Sequence, residues 1–283
     1  MKTIPSFSAQ IWNTAKASGG LHPGLTFYRF CEVLGKKEGK YDAVLGLMTG
    51  KTAIPFAGKL AERVRDQAQA LEATGIWKTK VFKNALETRM AVGMGISSQT
   101  ENGICLDHTH GIPVIPGSAL KGVAQDYALM EQIPKDDHTF VAVFGSQSSG
   151  SGAPDPNFVP VAGHVAFFDA MPVSSANPFD TDIMNPHYGD YYSSEGGTPP
   201  ADYISPNPIF FLTVKPGTVF QFALAARDAC FSLNREENGK TQTNEKLSAE
   251  ILLDKAVSFL KGALCNLGVG AKTSVGYGIF NRE

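Results

Sequence analysis

The strongest chemical signal in the chain is the glycine-rich run Leu267-Gly268-Val269-Gly270-Ala271-Lys272-Thr273-Ser274-Val275-Gly276-Tyr277-Gly278-Ile279-Phe280. Glycines let backbone N–H groups come close to a phosphate, while Lys272, Thr273 and Ser274 add charge and hydroxyls for a sugar-phosphate chain. Two nucleotide-binding patterns fail here. A P-loop needs G-x-x-x-x-G-K-[ST], yet Ala271 precedes Lys272 and Asn266 stands where the first glycine belongs. A dinucleotide fingerprint needs a strand before it and a helix after it, the reverse of the order expected here. What remains is a loop between a helix and an edge strand, open to two readings: a phosphate grip, or a tight turn packed under a sheet.

A second candidate is Ile115-Pro116-Gly117-Ser118-Ala119-Leu120-Lys121-Gly122. Ser118 is expected to cap a helix running to about Met130, with Lys121 on its first turn, where free N–H groups and the helix dipole attract anions. Histidines and acids gather twice, as Cys105, Asp107, His108 and His110, and as Asp182, His187 and Asp190. Neither group has the spacing of a three-ligand zinc site, so no metal or other cofactor is expected. There is no G-x-S-x-G, and His138 and His164 have no nucleophile beside them in sequence. His187-Tyr188-Gly189-Asp190-Tyr191-Tyr192 offers rings on which unpaired bases could stack, or which pack a loop onto the core.

Composition narrows the partners. The 283 residues carry 25 Lys and Arg against 27 Asp and Glu, which excludes a binder driven by a bulk basic field. Cut before Asp126, the chain separates into a basic part of net +6 and an acidic part of net -8. No Lys or Arg occurs between Lys135 and Lys215, where nine acids stand, an acidic surface available for protein contacts. The four cysteines are scattered without a C-x-x-C, and no stretch reads as a secretory signal or a membrane span, so a cytoplasmic protein is expected.

The elements that must position these residues follow from periodicity. Phe56, Leu60, Val64, Ala68 and Leu71 recur at helical spacing, and residues 1–85 read as a helical N-terminal extension. A strand is expected from Thr88, then a polar loop, a second short run at 104–106, and the helix from Ser118. Residues 145–207 read as a long insertion interrupted by a strand at 161–170. Ile209–Val214, Pro216-Gly217 and Thr218–Ala226 read as a β-hairpin, and Leu253, Val257, Leu260 and Leu264 mark a helix over 246–266. This order suits an α+β, ferredoxin-like (RNA-recognition-like) core over 86–283.

Taken together, IPGSALKG, Phe144-Gly145-Ser146, GHVAFFDAMP at 163–172, NPHYGDYY at 185–192 and the terminal GVGAKTSVGYGIF resemble the RAMP superfamily of CRISPR proteins. More narrowly they are similar to the sixth-subunit family of the type III-B Cmr effector complex. The resemblance covers about residues 89–283, and GLTFYRF at 24–30 is similar to that family's helical lead-in.

The resemblance implies a RAMP fold that holds guide RNA (crRNA) toward its 3′ region in an antiviral RNA-targeting complex. Its partners would be crRNA, target RNA, other RAMP subunits and the small subunit of the complex, with no membrane. Carried onto this chain, the RNA-binding candidates are Gly268, Gly270, Lys272, Thr273, Ser274, Gly276, Tyr277, Ser118, Lys121 and Arg89, with Arg29 a lesser addition. Subunits of this superfamily that cleave RNA carry an aspartate in the loop after the first core strand. Here Gly95–Gly103 has Glu101 as its sole carboxylate, so no nuclease activity is expected. The alternatives are a metal-independent endoribonuclease acting on precursor crRNA through His108 or His110, and a metal-dependent hydrolase.

Overall fold

The computed structural model describes residues 22–29, 46, 48–50, 54, 56–98, 100, 102–146, 161–194, 197, 199, 201, 206–233 and 243–282. Their elements are α1 (Pro23–Tyr28), α2 (Ala57–Ala73), β1 (Trp77–Ala85), α3 (Gly117–Met130), α4 (His138–Phe144), β2 (Val165–Phe167), β3 (Met171–Pro172), β4 (Phe179–Met184), α5 (Gly189–Ser193), β5 (Ile209–Val214), β6 (Val219–Arg227), β7 (Ala229–Leu233), β8 (Thr243–Leu247) and α6 (Ala249–Asn266), then a 3-10 turn, Thr273–Val275. The chain divides into two units. One comprises Met1–Phe56, Ala91–Pro113 and Ser175–Lys215, the other Ala57–Met90, Val114–Ser174 and Pro216–Glu283.

The second unit is built on β6, whose sequence VFQFALAAR is apolar on both faces and buried along most of its length. Such a strand needs partners at both edges and cover on both faces. β1 pairs antiparallel along one edge, Trp77 opposite Arg227 through Ala85 opposite Val219. β2 and β3 share the other edge, with Val165 opposite Ala226 and Met171 opposite Gln221. Strand alternation sorts the side chains. Ala223 lies beneath Val64 and Ala68 of α2, with Val81 and Met171 beside them. Phe82 and Phe222 stack on the opposite face at 5.1 Å, and Phe222 meets Phe280 at 5.4 Å. That face is covered by α6, which also packs along α3. Gln221 is buried, and its Nε2 donates to the Ala61 carbonyl of α2, so the buried amide is satisfied.

Helix starts are held by side-chain oxygens. Ser248 Oγ accepts from Ile251 N–H at the start of α6, and Asp228 Oδ1 accepts from Ala249 N–H at 2.8 Å. Lys246 Nζ lies 2.8 Å from Asp228 Oδ2, and this contact holds the Asp228 carboxyl below its ordinary range. Asp137 Oδ1 accepts from Thr139 and Phe140 N–H to start α4.

Several sequence expectations need correction. Ile209–Val214 and Thr218–Ala226 are not a hairpin: β5 pairs with β4 in the first unit, Phe179 opposite Val214. The Pro216-Gly217 turn carries the chain from one unit to the other, and Gly217 N–H donates to Leu86 O. The helical reading of residues up to 85 fails at Trp77, because α2 ends at Ala73 and WKTKVFKNA is a strand of the sheet. The boundary at 85/86 falls at the end of β1, which leaves this edge strand on the extension side. Beyond it, Thr88 onward forms no named strand; Leu86 and Phe280 meet in a single antiparallel bridge. Residues 171–207 hold β3, β4 and α5 instead of a continuous loop.

Candidate nucleic-acid interface

The glycine run is pinned at its base and open at its tip. Val269 N–H donates to Gly278 O at 3.0 Å, Gly278 N–H donates to Arg89 O at 2.7 Å, and Phe280 N–H donates to Leu264 O. Gly268 and Gly278 have φ of +75° and +74°, and a Cβ on either would strike backbone atoms of the opposing strand of the loop. These two glycines answer the packing reading of the motif. At the tip, Ser274, Val275 and Gly276 are exposed, Val275 at 67%. Among the described residues, nothing accepts from the Thr273 and Ser274 N–H groups that open the 3-10 turn.

Lys272 is left-handed, with φ +63° and ψ +26°, a conformation disfavoured for a residue with a Cβ. Its carbonyl accepts from Val275 and Tyr277 N–H, which fixes the turn. Its Nζ lies 5.8 Å from the Tyr277 ring centroid, a cation–π contact that aims the ammonium along the loop. Strain of this kind, about 1–3 kcal/mol, persists where the surroundings enforce it and often marks a working site.

Beside the loop lies an open groove of about 670 Å3. Ala119, Val123, Asp126 and Met130 of α3 form one wall, and Gly268–Gly270 with Thr273 and Ser274 form the other. Asp126 is its sole ionisable lining residue, so the groove itself suits bases and ribose hydroxyls better than phosphate.

The second candidate motif behaves differently from the sequence reading. Pro116, not Ser118, is the N-cap of α3, and no side chain of its own caps it. Asp169 Oδ1 instead accepts from Gly117 N–H at 2.7 Å, so this helix start already faces an anion. Lys121 and Ser118 are absent from the groove lining, and helical spacing turns Lys121 away from Ala119, Val123 and Asp126. The structure thus brings Arg89, Gly268, Gly270, Lys272, Thr273, Ser274, Gly276 and Tyr277 together, and leaves Ser118 and Lys121 apart.

A model of the RAMP superfamily matches residues 85–281. The chain belongs to that superfamily. Among RAMP relatives, the chain is 34% identical over 274 residues to the CRISPR system Cmr subunit Cmr6 of Pyrococcus furiosus, covering 75% of this chain and 69% of that protein. It is 26% identical over 203 residues to the Cmr6 subunit of Saccharolobus solfataricus, covering 70% of this chain and 56% of that one. A chain in the cryo-EM structure of the type III-B Cmr-beta bound to cognate target RNA superposes with a TM-score of 0.58 at 21% identity, over 86% of this chain and 71% of that one. This last likeness is one of RAMP fold.

Two other polar groups lie in the first unit of this RAMP chain. Asp107 Oδ1 accepts from the His110 backbone N–H and meets His110 Nδ1, both at 2.7 Å, and the Phe56 ring leans on the imidazole at 5.4 Å. His108 lines a separate pocket of about 290 Å3 with Tyr28, Arg29 and Ser97. Tyr28 hydroxyl accepts from Ile104 N–H and donates to Ile104 O, and burial pushes its ionisation above the ordinary tyrosine range. No group of three or more metal-ligating residues occurs among the described residues. Tyr192 is 75% exposed beside Tyr191, while Glu101 lies outside the described residues. No helix among the described residues is long and apolar enough to cross a membrane.

Sequence reasoning missed Asp169, Asp126 and the whole of β1. Asp169 acts 52 residues from its target, beyond local pattern. Asp126 could have been found by writing α3 on a helical wheel. For β1 the period-2 signal was present in WKTKVFKNA, with lysines alternating with Trp77, Thr79 and Val81.

Proposed function

We propose that this chain is a non-catalytic, crRNA-binding RAMP subunit of a type III-B CRISPR RNA-targeting effector complex, placed toward the crRNA 3′ end and serving antiviral defence. The Cmr6 relatives support membership of the complex, and the order β1, α3, β2 with β3, β6, α6 and the Phe280 bridge supports a ferredoxin-like core. The observation that carries the RNA reading is the loop itself: left-handed Lys272 and the backbone donors of Thr273 and Ser274 sit at the tip of a hydrogen-bonded base. Such contacts grip phosphate and sugar without reading sequence, which is left to crRNA–target pairing. Other RAMP subunits and the small subunit are its protein partners, with the acidic 136–214 stretch offered to them.

Anisotropy titrations of the full chain with single-stranded RNA across a salt series test this. Lys272→Asn keeps the left-handed backbone but removes the charge, and should reduce the slope of log K against log salt by about 0.7. An unchanged slope removes the loop from the interface. Incubation with repeat RNA without metal should give no cleavage. Cleavage abolished by His108→Ala would replace the non-catalytic reading with the processing one.

A further inference from the structure

The groove beside the glycine loop holds a carboxylate and no cation, so a strand lying in it must place its phosphates elsewhere. Asn266, at the end of α6, lines this groove and also a second pocket of about 390 Å3. That pocket is formed by Asn84, Lys261, Gly262, Cys265, Asn266 and Arg282, two cations and two amides with no carboxylate in its lining. Arg282 Nη2 donates to Asn266 Oδ1 at 3.2 Å, which holds the guanidinium at the junction of the two cavities. Lys261 Nζ lies 5.1 Å from the Phe82 ring centroid, so the ammonium itself is held over the aromatic face at this pocket.

The basic surface continues along β1. Asn84 lines this pocket, Phe82 lies under Lys261, and strand alternation sets Lys80 and Lys78 on the same face, both exposed. At roughly 3.3 Å per residue, Lys78 lies about 20 Å from Asn84, room for several phosphates in a row. β1 contains three lysines and no acid, and the residues opposite them on β6 are Ala226, Leu224 and Gln221, so no cross-strand carboxylate neutralises the row.

We propose that Lys261 and Arg282, with Lys80 and Lys78 beyond them, form a second phosphodiester-binding track that takes the RNA strand leaving the glycine-loop groove past Asn266. This rests on the RNA reading of the loop for the direction of the path, but uses different residues. The same lysines would also serve to blunt an exposed sheet edge against strand addition, and the two roles separate experimentally.

The test uses the full chain and a fluorescein-labelled oligouridine over a salt series. The double variant Lys261→Gln with Arg282→Gln removes both charges and keeps polar side chains, and should lower the salt slope by about 1.4, at ~0.7 per phosphate contact on a single strand. Lys78→Gln with Lys80→Gln should lower it by a similar amount, with light scattering unchanged. If Lys272→Asn lowers the slope and neither double variant does, the track is wrong while the loop reading stands. If the double variants act and Lys272→Asn does not, the track stands and the loop reading falls. A wild-type chain with no affinity for the probe overturns both. Aggregation of the β1 variant with an unchanged slope assigns those lysines to edge protection and overturns their part. Competition by polyglutamate as effective as by RNA would make the surface a protein-docking one and overturn the proposal.

Discussion

Gly276 and Gly278 stand two residues apart, both left-handed, with φ of +90° and +74°, yet they meet different surroundings. A Cβ on Gly276 finds no atom within 4 Å, whereas one on Gly278 would run into the Val269 carbonyl. Gly276→Ala therefore carries the conformational cost alone, roughly 1–2 kcal/mol, less up to about 1 kcal/mol from the lower entropy of the unfolded chain. Gly278→Ala carries the same cost and must also displace Val269, loosening the Val269–Gly278 and Gly278–Arg89 hydrogen bonds of 3.0 and 2.7 Å. At about 1 kcal/mol for each bond, its total reaches roughly 3 kcal/mol. With about 2–4 °C per kcal/mol for a chain of this size class, Gly276→Ala should lower Tm by roughly 2–4 °C and Gly278→Ala by roughly 6–12 °C. Thermal melts followed by circular dichroism measure both. Equal shifts for the two variants would refute the division of the loop into a clamped base and an open tip.

Removing the Asp169 carboxylate should cost about 1 kcal/mol through the start of α3, seen as a lower urea midpoint at unchanged m for Asp169→Ala. Lys246 depresses the Asp228 carboxyl, so its contribution is present above the unfolded value near 3.8 and fades as pH falls through the lower folded value. Asp228→Asn should flatten the acid limb of a stability–pH profile. Burial raises Tyr28, so the folded chain holds that proton above pH 10 while the unfolded chain releases it, and stability should fall as pH rises past about 10. Ultraviolet titration of Tyr28→Phe should lose one late-ionising tyrosine relative to the wild-type chain, with Tyr127, raised through its hydrogen bond with Glu131, remaining.

Where the determinant was local, it was legible in the sequence. Leu253, Leu260 and Leu264 at helical spacing mark the buried face of α6, and Val64 and Ala68 that of α2. The glycine loop and its exposed tip could likewise be found by residue type. The failures share a cause, which is partner choice at long range. β5 and β6 flank a good turn, but β6 is claimed by β1, β2 and β3, leaving β5 to pair with β4. Ser118 stands in a fair capping context, yet a carboxylate from Asp169 takes the Gly117 N–H first. Lys121 followed the same motif and lost the groove to helical phase, since Ala119, Val123, Asp126 and Met130 of its own helix line the groove while it turns away.

The pairing of β1 with β6 joins Ala85 to Val219 and Trp77 to Arg227, so the central sheet is closed by two distant stretches of chain. During synthesis from the N-terminus, β1 emerges long before the strand that completes it, and it must wait in water with its backbone groups unpaired. A waiting strand invites wrong partners, and Lys78, Lys80 and Lys83 keep WKTKVFKNA charged and hydrated until β6 arrives. Lysines that would meet an RNA backbone in the finished protein thus protect the nascent chain before any RNA is bound.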